Sequence, residues 1–301
     1  MAFHFQVQPR VSQDDAAYFS QPFASGPYNL ATGPSMESEG GGLTSDIDPQ
    51  LANAAFLAAS AADARLDALV ERTSKQVSAF LDLISEMNCT EQVLQEKLGE
   101  NSKVVEKQES TFDYLVILST EGGDLSLVES RIVPENAKQP KKSRSPLLVS
   151  NGFSMLFLVF HPYYMDSFQF AKEEDESIGG RPIAKIHFQH IPGMRSPAAL
   201  AVRGKEFPLD LSGTAWVDPA TGVIVKLTAD LGQGMEDVGI RSMHSEVQFA
   251  PVTFHDSPGT FWLPANASVE VETRHQHWRN THQFSGYRRF SVDTRQQVAT
   301  K

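Results

Sequence analysis

The nine histidines are the first side chains to consider for chemistry, because a neutral imidazole is a common metal ligand. His275 and His277 are two residues apart, which projects both rings from one face of a predicted strand, and His282 follows within reach of a turn. No carboxylate is spaced as an obvious third ligand, and His187 and His190 face opposite ways along their strand. The pattern favours hydrogen-bonded histidines near the rim of a sheet, and we predict no metal site.

The sequence offers few candidates for a catalytic nucleophile. Cys89 is the only cysteine, which excludes an intrachain disulfide, and its place between a helix and a strand favours a buried structural thiol. Ser150–Ser154 lacks the Gly-x-Ser-x-Gly elbow that exposes a catalytic serine. Glu270 and Glu272 share one strand face, whereas a glycosidase needs carboxylates from converging elements. We predict no catalytic residue and no cofactor, and we interpret the protein as non-enzymatic.

Charge is unevenly distributed along the chain, which carries a formal net charge of -11. Residues 1–50 hold six carboxylates against one arginine, a net charge of -5, so the remainder is only mildly acidic and lacks an electrostatic attraction to nucleic acid. Basic and aromatic residues alternate over residues 274–290, but strands bury alternate aromatics, and we predict no nucleic acid partner. No apolar run approaches the ~20 residues that span a bilayer, so no transmembrane segment is expected.

The elements that must position these residues begin with a tail and a helix. Residues 1–46 are rich in Ser, Gly, Pro, Gln and Ala, which predicts a disordered acidic tail before a single domain over residues 47–298. Asp48 and Pro49 are typical of a helix start, and apolar residues at three-and-four spacing predict an amphipathic helix over residues 49–87. An unbroken helix of that length would extend about 58 Å, longer than such a domain is wide, so we expect a break near Ser60.

Over residues 88–298 the apolar period changes from 3.6 to 2, which predicts a sheet. The clearest hairpin is Gly213–Leu227, where Asp218–Gly222 supplies a proline and a glycine for the turn. About ten strands accompany one long helix, and a flat sheet of that width would remain uncovered. We therefore predict an α+β, mainly β protein with one wide, strongly curved antiparallel sheet, an open half-barrel, covered by the N-terminal helix and a short helix near residues 153–160.

Three stretches resemble the LolA/LolB-like group of bacterial lipoprotein carriers: Phe112–Val116 with the hairpin to Arg131, Gly213–Leu227, and Trp262–Pro264 with the strands to Phe290. More narrowly, Asn88–Glu91 with Glu109–Tyr114 is similar to a bacterial family of unassigned function. The resemblance implies a hydrophobic cavity between a concave sheet and its helices, used for lipid or acyl chains, and a location in the periplasm or cell envelope. The first residues show no secretory signal.

Phenylalanine is frequent in the predicted strands, with 19 residues in the chain. Each aromatic residue alone is explained by an ordinary core, but a curved sheet of this width encloses more volume than one helix fills. The candidate residues for lining the remaining apolar cavity are Phe112, Tyr114, Val116, Phe157, Phe160, Phe188, Trp216, Val225, Phe249 and Trp262.

We predict a binding protein for lipid, lipoprotein acyl chains or another apolar ligand, with entry gated by displacement of the helix. The alternative is a protein-interaction or scaffold module of the envelope, whose sheet interior is filled by its own side chains. In that alternative, a basic rim near Arg288 and Arg289 would meet an acidic envelope protein partner.

Overall fold

The computed structural model describes residues 4–5, 49–119, 125–134, 149–150, 153–202, 205–235, 239–255 and 257–289. The predicted disordered tail lies outside the described residues, except for a two-residue strand at His4–Phe5. The chain divides into two compact units, one of residues 10–65 and one of residues 1–9 with 66–301. The second unit contains every strand of the described residues. A single domain over residues 47–298 stays a prediction.

Strands make up most of the described chain. In chain order they are β1 (His4–Phe5), β2 (Met87–Leu98), β3 (Val104–Ser119), β4 (Ser126–Ile132), β5 (Val149–Ser150), β6 (Phe168–Lys172), β7 (Glu176–Ile178), β8 (Arg181–His190), β9 (Ala199–Val202), β10 (Lys205–Pro208), β11 (Leu211–Val217), β12 (Ile224–Leu231), β13 (Ile240–Phe254), β14 (Ser257–Thr273) and β15 (His277–Arg289). The helices are α1 (Pro49–Ile84) and α2 (Pro162–Met165), with 3-10 helices at Glu100–Ser102 and Phe153–Phe160.

Eleven strands form one large sheet in the order β4-β3-β2-β15-β14-β13-β12-β11-β8-β6, and β7 also pairs with β8. The neighbouring strands of this path pair antiparallel, and the terminal strands β4 and β6 do not pair with each other, so the sheet is open. The predicted α+β, mainly β fold with one open, curved antiparallel sheet is therefore confirmed. β10, β9, β1 and β5 form a second, four-stranded sheet, which the alternation of apolar residues does not predict.

One face of the large sheet carries the core. In β11 the residues Leu211, Gly213, Ala215 and Val217 are buried, while the residues between them are half-buried. This period of two assigns each side chain to an inner or an outer face of the sheet. Phe160, at the end of the 3-10 helix, is fully buried and packs edge-on against Phe188 of β8, with ring centroids 6.2 Å apart. The predicted short helix near residues 153–160 is therefore present and covers the inner face.

α1 is a single helix of 36 residues, so the expected break near Ser60 is wrong. Residues 51–64 are rich in alanine, which has the highest helix propensity and therefore favours an unbroken helix. From Leu69 onward the helix buries one face, through residues that include Val77, Leu81 and Ile84. In the described part of the chain no helix is long and apolar enough to cross a membrane.

The predicted β11–β12 hairpin is confirmed, and its turn contacts α1. Asp218 Oδ1 accepts hydrogen bonds from the backbone N–H groups of Ala220 (2.8 Å) and Thr221 (3.1 Å), which orders the turn. Arg72 Nη1 of α1 donates a 2.6 Å hydrogen bond to the carbonyl oxygen of Pro219. Gly222 has a φ of 79°, and a Cβ at this position would lie 2.8 Å from the backbone carbon of Arg72. Glycine therefore lets the turn approach the helix.

β13 and β14 form a longer hairpin than the strands near residues 241–250, 260–264 and 267–279 that the sequence predicts. β12 pairs with β13 only up to Gln248, and β15 pairs with β14 only as far as Asn266. Beyond these points the two strands pair only with each other, as a two-stranded arm (residues 249–255 and 257–264). The register shifts by one residue where the arm begins, since Gln248 pairs with Asn266 and Phe249 pairs with Pro264. Such a bulge increases the local twist and redirects the strands.

Candidate functional site

An apolar groove lies where α1, the 3-10 helix, the start of β12 and the arm meet. Its volume is about 340 Å³, within the range of about 300–1,000 Å³ that is typical of ligand pockets. The described residues that line it are Gln76, Val77, Ala79, Phe80, Leu83, Phe157, Gly222, Val223, Ile224, Phe249, Thr260, Phe261 and Trp262. The contact of the β11–β12 turn with α1 and the bulge at the base of the arm bring these elements together.

Three phenylalanines from three elements form the floor of the groove. Phe80 of α1 packs edge-on against Phe157 of the 3-10 helix, with ring centroids 4.7 Å apart and planes at 89°. Phe249 of the arm lies 6.3 Å from Phe80 and 6.2 Å from Phe157. Phe157 is buried, whereas Phe80 and Phe249 are half-buried and keep part of each ring exposed in the groove. Edge-to-face packing holds the three rings in fixed orientations.

The lining of the groove carries no ionisable side chain among the described residues. Gln76 and Thr260 supply the polar side chains, and both are exposed. General acid-base and nucleophilic catalysis need an ionisable or nucleophilic group within hydrogen-bond reach of the reacting atoms. The chemistry that this groove supports is the removal of an apolar ligand from water.

A second pocket of about 260 Å³ adjoins the groove. The two share Val223, Phe249 and Trp262, so they are adjacent at the start of β12. Unlike the groove, the second pocket contains charged side chains. Its described lining residues are Ile178, Arg181, Ile183, Asp218, Val223, Val225, Lys226, Gln248, Phe249 and Trp262.

Four of the ten residues predicted from sequence to line a cavity lie at these two pockets. Phe157, Phe249 and Trp262 line the groove, and Val225 lines the second pocket with Phe249 and Trp262. Contact of these residues with a ligand stays a prediction.

The other six predicted residues lie elsewhere. Phe160 and Phe188 are fully buried in the core, and Val116 is 1% exposed on the inner face of β3. Phe112 and Tyr114 share that face of β3, half-buried and buried respectively. The sixth residue, Trp216, lies on the outer face of β11, where its Nε1–H donates a 2.8 Å hydrogen bond to Glu176 and the Lys185 ammonium lies 5.6 Å from its ring centroid.

The sequence prediction did not include the residues that α1 contributes to the groove. Val77 and Phe80 belong to the apolar residues whose three-and-four spacing predicts the amphipathic helix, and Leu83 follows Phe80 by three residues on the same face. Phe80 is half-buried, although it belongs to that face. The sequence feature that indicates the groove is the width of the apolar face of α1, which exceeds what the sheet can cover. This excess can be recognised only when the position of the arm is known.

A buried charged cluster lies on the inner face of β2, β3, β4 and β15. Arg131 donates hydrogen bonds to both carboxylate oxygens of Glu91, at 2.5 and 2.9 Å, and His282 Nδ1 lies 2.8 Å from Glu91 Oε1. Tyr114 Oη donates to Glu129 at 2.7 Å, and Glu129 also pairs with Arg131. Burial opposes the charged form of Glu91, but the hydrogen bonds from His282 and Arg131 outweigh it and lower the pKa of this carboxyl.

The charged cluster is more consistent with a structural role than with catalysis. Perturbed pKa values often mark functional sites, but they also occur in structural ion-pair networks. Here Glu91 is fully buried and already bonded to Arg131 and His282, and neither pocket includes a member of the cluster.

A row of Ser212, His187 and Glu173 on the outer face has the order of a hydrolase triad. Ser212 Oγ lies 3.5 Å from His187 Nε2, and His187 Nδ1 lies 3.8 Å from Glu173 Oε1. Both distances exceed the roughly 2.6–3.2 Å expected within a catalytic triad, between the nucleophile and its base and between the base and its carboxylate. Glu173 also pairs with Lys185 and accepts a hydrogen bond from Thr214, so the row belongs to a polar outer face.

The histidines considered for a metal site do not converge. His277 Nε2 lies 2.6 Å from Glu270 on the outer face, while His282 is buried against Glu91 on the inner face. Across the described ranges, no three His, Cys, Asp or Glu side chains are placed to hold a metal ion. Cys89 is buried, and this burial raises the pKa of its thiol to about 12, which keeps it protonated at neutral pH.

No protein-family model matches the chain, and no curated protein matches it either. Among solved structures it is similar to a DUF1329 family protein from Desulfovibrio piger, with 12% identity, a TM-score of 0.38, and coverage of 78% of this chain and 95% of that chain. It is also similar to a domain from Vibrio parahaemolyticus named for outer membrane lipoprotein sorting, with 12% identity, a TM-score of 0.33, and coverage of 77% and 95%. The latter name falls in the group that the sequence resembles, but at these scores neither likeness bears on ligand or activity.

Proposed function

We propose that the protein is a non-enzymatic binding protein of the bacterial envelope, which holds an acyl chain or another apolar ligand in the groove. The observation that carries this proposal is the groove itself: about 340 Å³, lined by aromatic and aliphatic side chains from four elements, with no ionisable group among its described lining residues. Burial of each methylene of a ligand contributes about 0.8 kcal/mol.

Two further observations support the proposal. Phe80, Phe249 and Trp262 are apolar side chains that remain half-buried, so the protein leaves apolar surface in the groove uncovered. The three sequence stretches that resemble the lipoprotein-carrier group support both an acyl ligand and a periplasmic or envelope location.

The test is to fill the groove without disturbing the core. Ala79 is an exposed residue of α1 that lines the groove, so Ala79→Trp places an indole in the groove without removing a buried contact. We expect this variant to lower the affinity for a fluorescent dansyl-undecanoic acid probe by at least about tenfold, the equivalent of about two methylenes.

The matched control is Ala68→Trp, on the same helix. Ala68 is also exposed but does not line the groove, so this variant should bind the probe as tightly as the wild type does. Native mass spectrometry of the purified protein gives a second readout for bound lipid. A folded wild-type protein that carries no lipid and binds no acyl probe would refute the proposal, as would equal affinities for the two tryptophan variants.

A second candidate function, an interaction or scaffold module, is favoured by one observation. Away from the groove the inner face is filled by its own side chains, and Phe160, Phe188 and Trp278 are at most 1% exposed. The basic rim expected to meet an acidic partner is partly occupied, because Arg289 forms an ion pair with Glu86 at 2.6 Å. Under this alternative the protein would bind no acyl probe, which separates the two functions.

A further inference from the structure

We infer that the ligand of the groove is an amphiphile with an anionic head group, which Arg181 binds in the second pocket while the acyl chain lies in the groove. This inference rests on the proposed function and specifies the class of its ligand.

The geometry provides two adjacent compartments of different polarity. Val223, Phe249 and Trp262 line both, so the two pockets are adjacent, and the proposed ligand extends from one into the other past these three side chains. The groove offers about 340 Å³ with no ionisable lining side chain, and the second pocket offers about 260 Å³ with Arg181, Asp218 and Lys226 in its wall. An apolar ligand without a polar end would leave the guanidinium of Arg181 beside it without an anionic partner.

Two of these three charged side chains already have partners. Asp218 Oδ1 already accepts two backbone hydrogen bonds within its own turn. Lys226 Nζ lies 2.7 Å from Glu246 and 4.8 Å from the centroid of the Trp216 ring, so its charge is already partly compensated. Among the residues that the structure describes, no carboxylate pairs with the guanidinium of Arg181, which is exposed at the pocket wall.

The backbone places Arg181 directly after a tight turn. Gly179 and Gly180 have φ values of 59° and 79°, as a two-residue hairpin between β7 and β8 requires. The turn fixes where the side chain of Arg181 begins, on the same hairpin as Ile178 and Ile183 of the pocket wall. A guanidinium can bind a carboxylate or a phosphate through two parallel hydrogen bonds. A fatty carboxylate and an alkyl phosphate therefore share the chemistry that this site recognises.

The experiment compares ligands with one chain and different head groups: laurate, dodecyl phosphate, dodecanol and dodecyltrimethylammonium. Each is titrated calorimetrically below its micelle concentration or, for dodecanol, below its solubility limit. We expect the two anionic ligands to bind at least about tenfold more tightly than dodecanol, and the cationic one more weakly, because a hydrogen bond to a charged group contributes that factor or more. The stronger of the two anionic ligands identifies the head group as a carboxylate or a phosphate.

The variant Arg181→Gln should remove the preference for anionic heads and leave the affinity for dodecanol unchanged. Its matched control is Arg241→Gln, at the opposite end of β13 from Phe249, where the side chain pairs with Glu272 on the surface. Equal binding of laurate, dodecyl phosphate and dodecanol by the wild type, or an anion preference that survives in Arg181→Gln, would overturn the inference but not the proposed function. Binding of none of the four ligands would overturn both.

Discussion

At the scale of residues, the buried charged cluster lies away from the apolar groove. The most deeply buried carboxylate, Glu91, lies with Arg131 and His282 on the strands β2, β4 and β15. The groove lies at β12, β13 and β14 and has an apolar lining. A buried charge is tolerated only when its partners compensate the lost hydration, and here a bidentate arginine and a histidine do so. This cluster therefore contributes to stability rather than to ligand binding.

Replacing Glu91 tests this assignment. Glu91→Gln removes the carboxylate that Arg131 binds through two hydrogen bonds in a buried environment, which should lower the free energy of unfolding at pH 7 by about 3–5 kcal/mol. Because the folded-state pKa of Glu91 is lowered from 4.5, its contribution is present above that pH and is lost as the pH falls through the folded pKa. Urea denaturation at pH 7 and pH 3 should therefore show a smaller difference between variant and wild type at pH 3.

The control for this measurement is an exposed ion pair on the same sheet. Glu109 pairs with Lys107 at 3.0 Å, and its side chain is 70% exposed, so Glu109→Gln should leave the unfolding curve unchanged at both pH values. If Glu91→Gln behaves like Glu109→Gln, the cluster does not stabilise the fold. If Glu91→Gln leaves the unfolding curve unchanged at both pH values and abolishes probe binding, the cluster belongs to the binding site.

At the scale of elements, the contact between the β11–β12 turn and α1 sets one wall of the groove. Gly222, Val223 and Ile224 line the groove and belong to, or directly follow, the turn that contacts Arg72. The approach depends on the absence of a side chain at Gly222, where a Cβ would lie 2.8–2.9 Å from atoms of Arg72. Any side chain there has to displace the turn from the helix.

We expect Gly222→Ala to lower the free energy of unfolding by about 3 kcal/mol, since it combines a left-handed φ with a clash against helix backbone. It should also weaken binding of the acyl probe, because the wall of the groove shifts. The matched control is Gly180→Ala, which has the same φ of 79° but no atom within 4 Å of the added Cβ. Its cost should be about 1 kcal/mol. Similar unfolding midpoints for the two variants would show that the turn does not depend on contact with α1.

The same elements show what can be predicted from sequence. Period-two alternation and the residues of the Asp218–Gly222 turn specify local strand pairing. The sequence therefore predicts the hairpin and the inner position of Phe188 and Val247. The sequence predicts shorter strands, near residues 241–250, 260–264 and 267–279. The two long strands can contain Pro251 and Pro264 because beyond Gln248 they pair only with each other.

The candidate site was predicted only in part, for a physical reason. Trp216 and Trp262 both lie in strands flanked by apolar residues, and alternation alone does not distinguish a half-buried outer face from an uncovered inner one. The surroundings of Trp262 depend on long-range contacts of the arm with α1 and the 3-10 helix. No local sequence pattern encodes such contacts.

At the scale of the whole molecule, the inner face of the sheet is divided between a filled core and an open end. The three tryptophans lie in different environments. Trp278 is 1% exposed in the core, Trp216 lies on the outer face, and Trp262 lines both pockets. The expected large cavity is therefore confined to the end of the sheet covered by residues 76–83 of α1 and by the arm. Ligand binding there would bring an acyl chain into contact with one tryptophan of three.

The most direct test of this account is quenching of tryptophan fluorescence by a bromine-labelled dodecanoyl chain, since bromine quenches only rings that lie close to it. The account predicts saturable quenching that is lost in Trp262→Phe and retained in Trp216→Phe. Quenching that persists in Trp262→Phe but disappears in Trp216→Phe, or a folded protein that shows no saturable quenching, would contradict it.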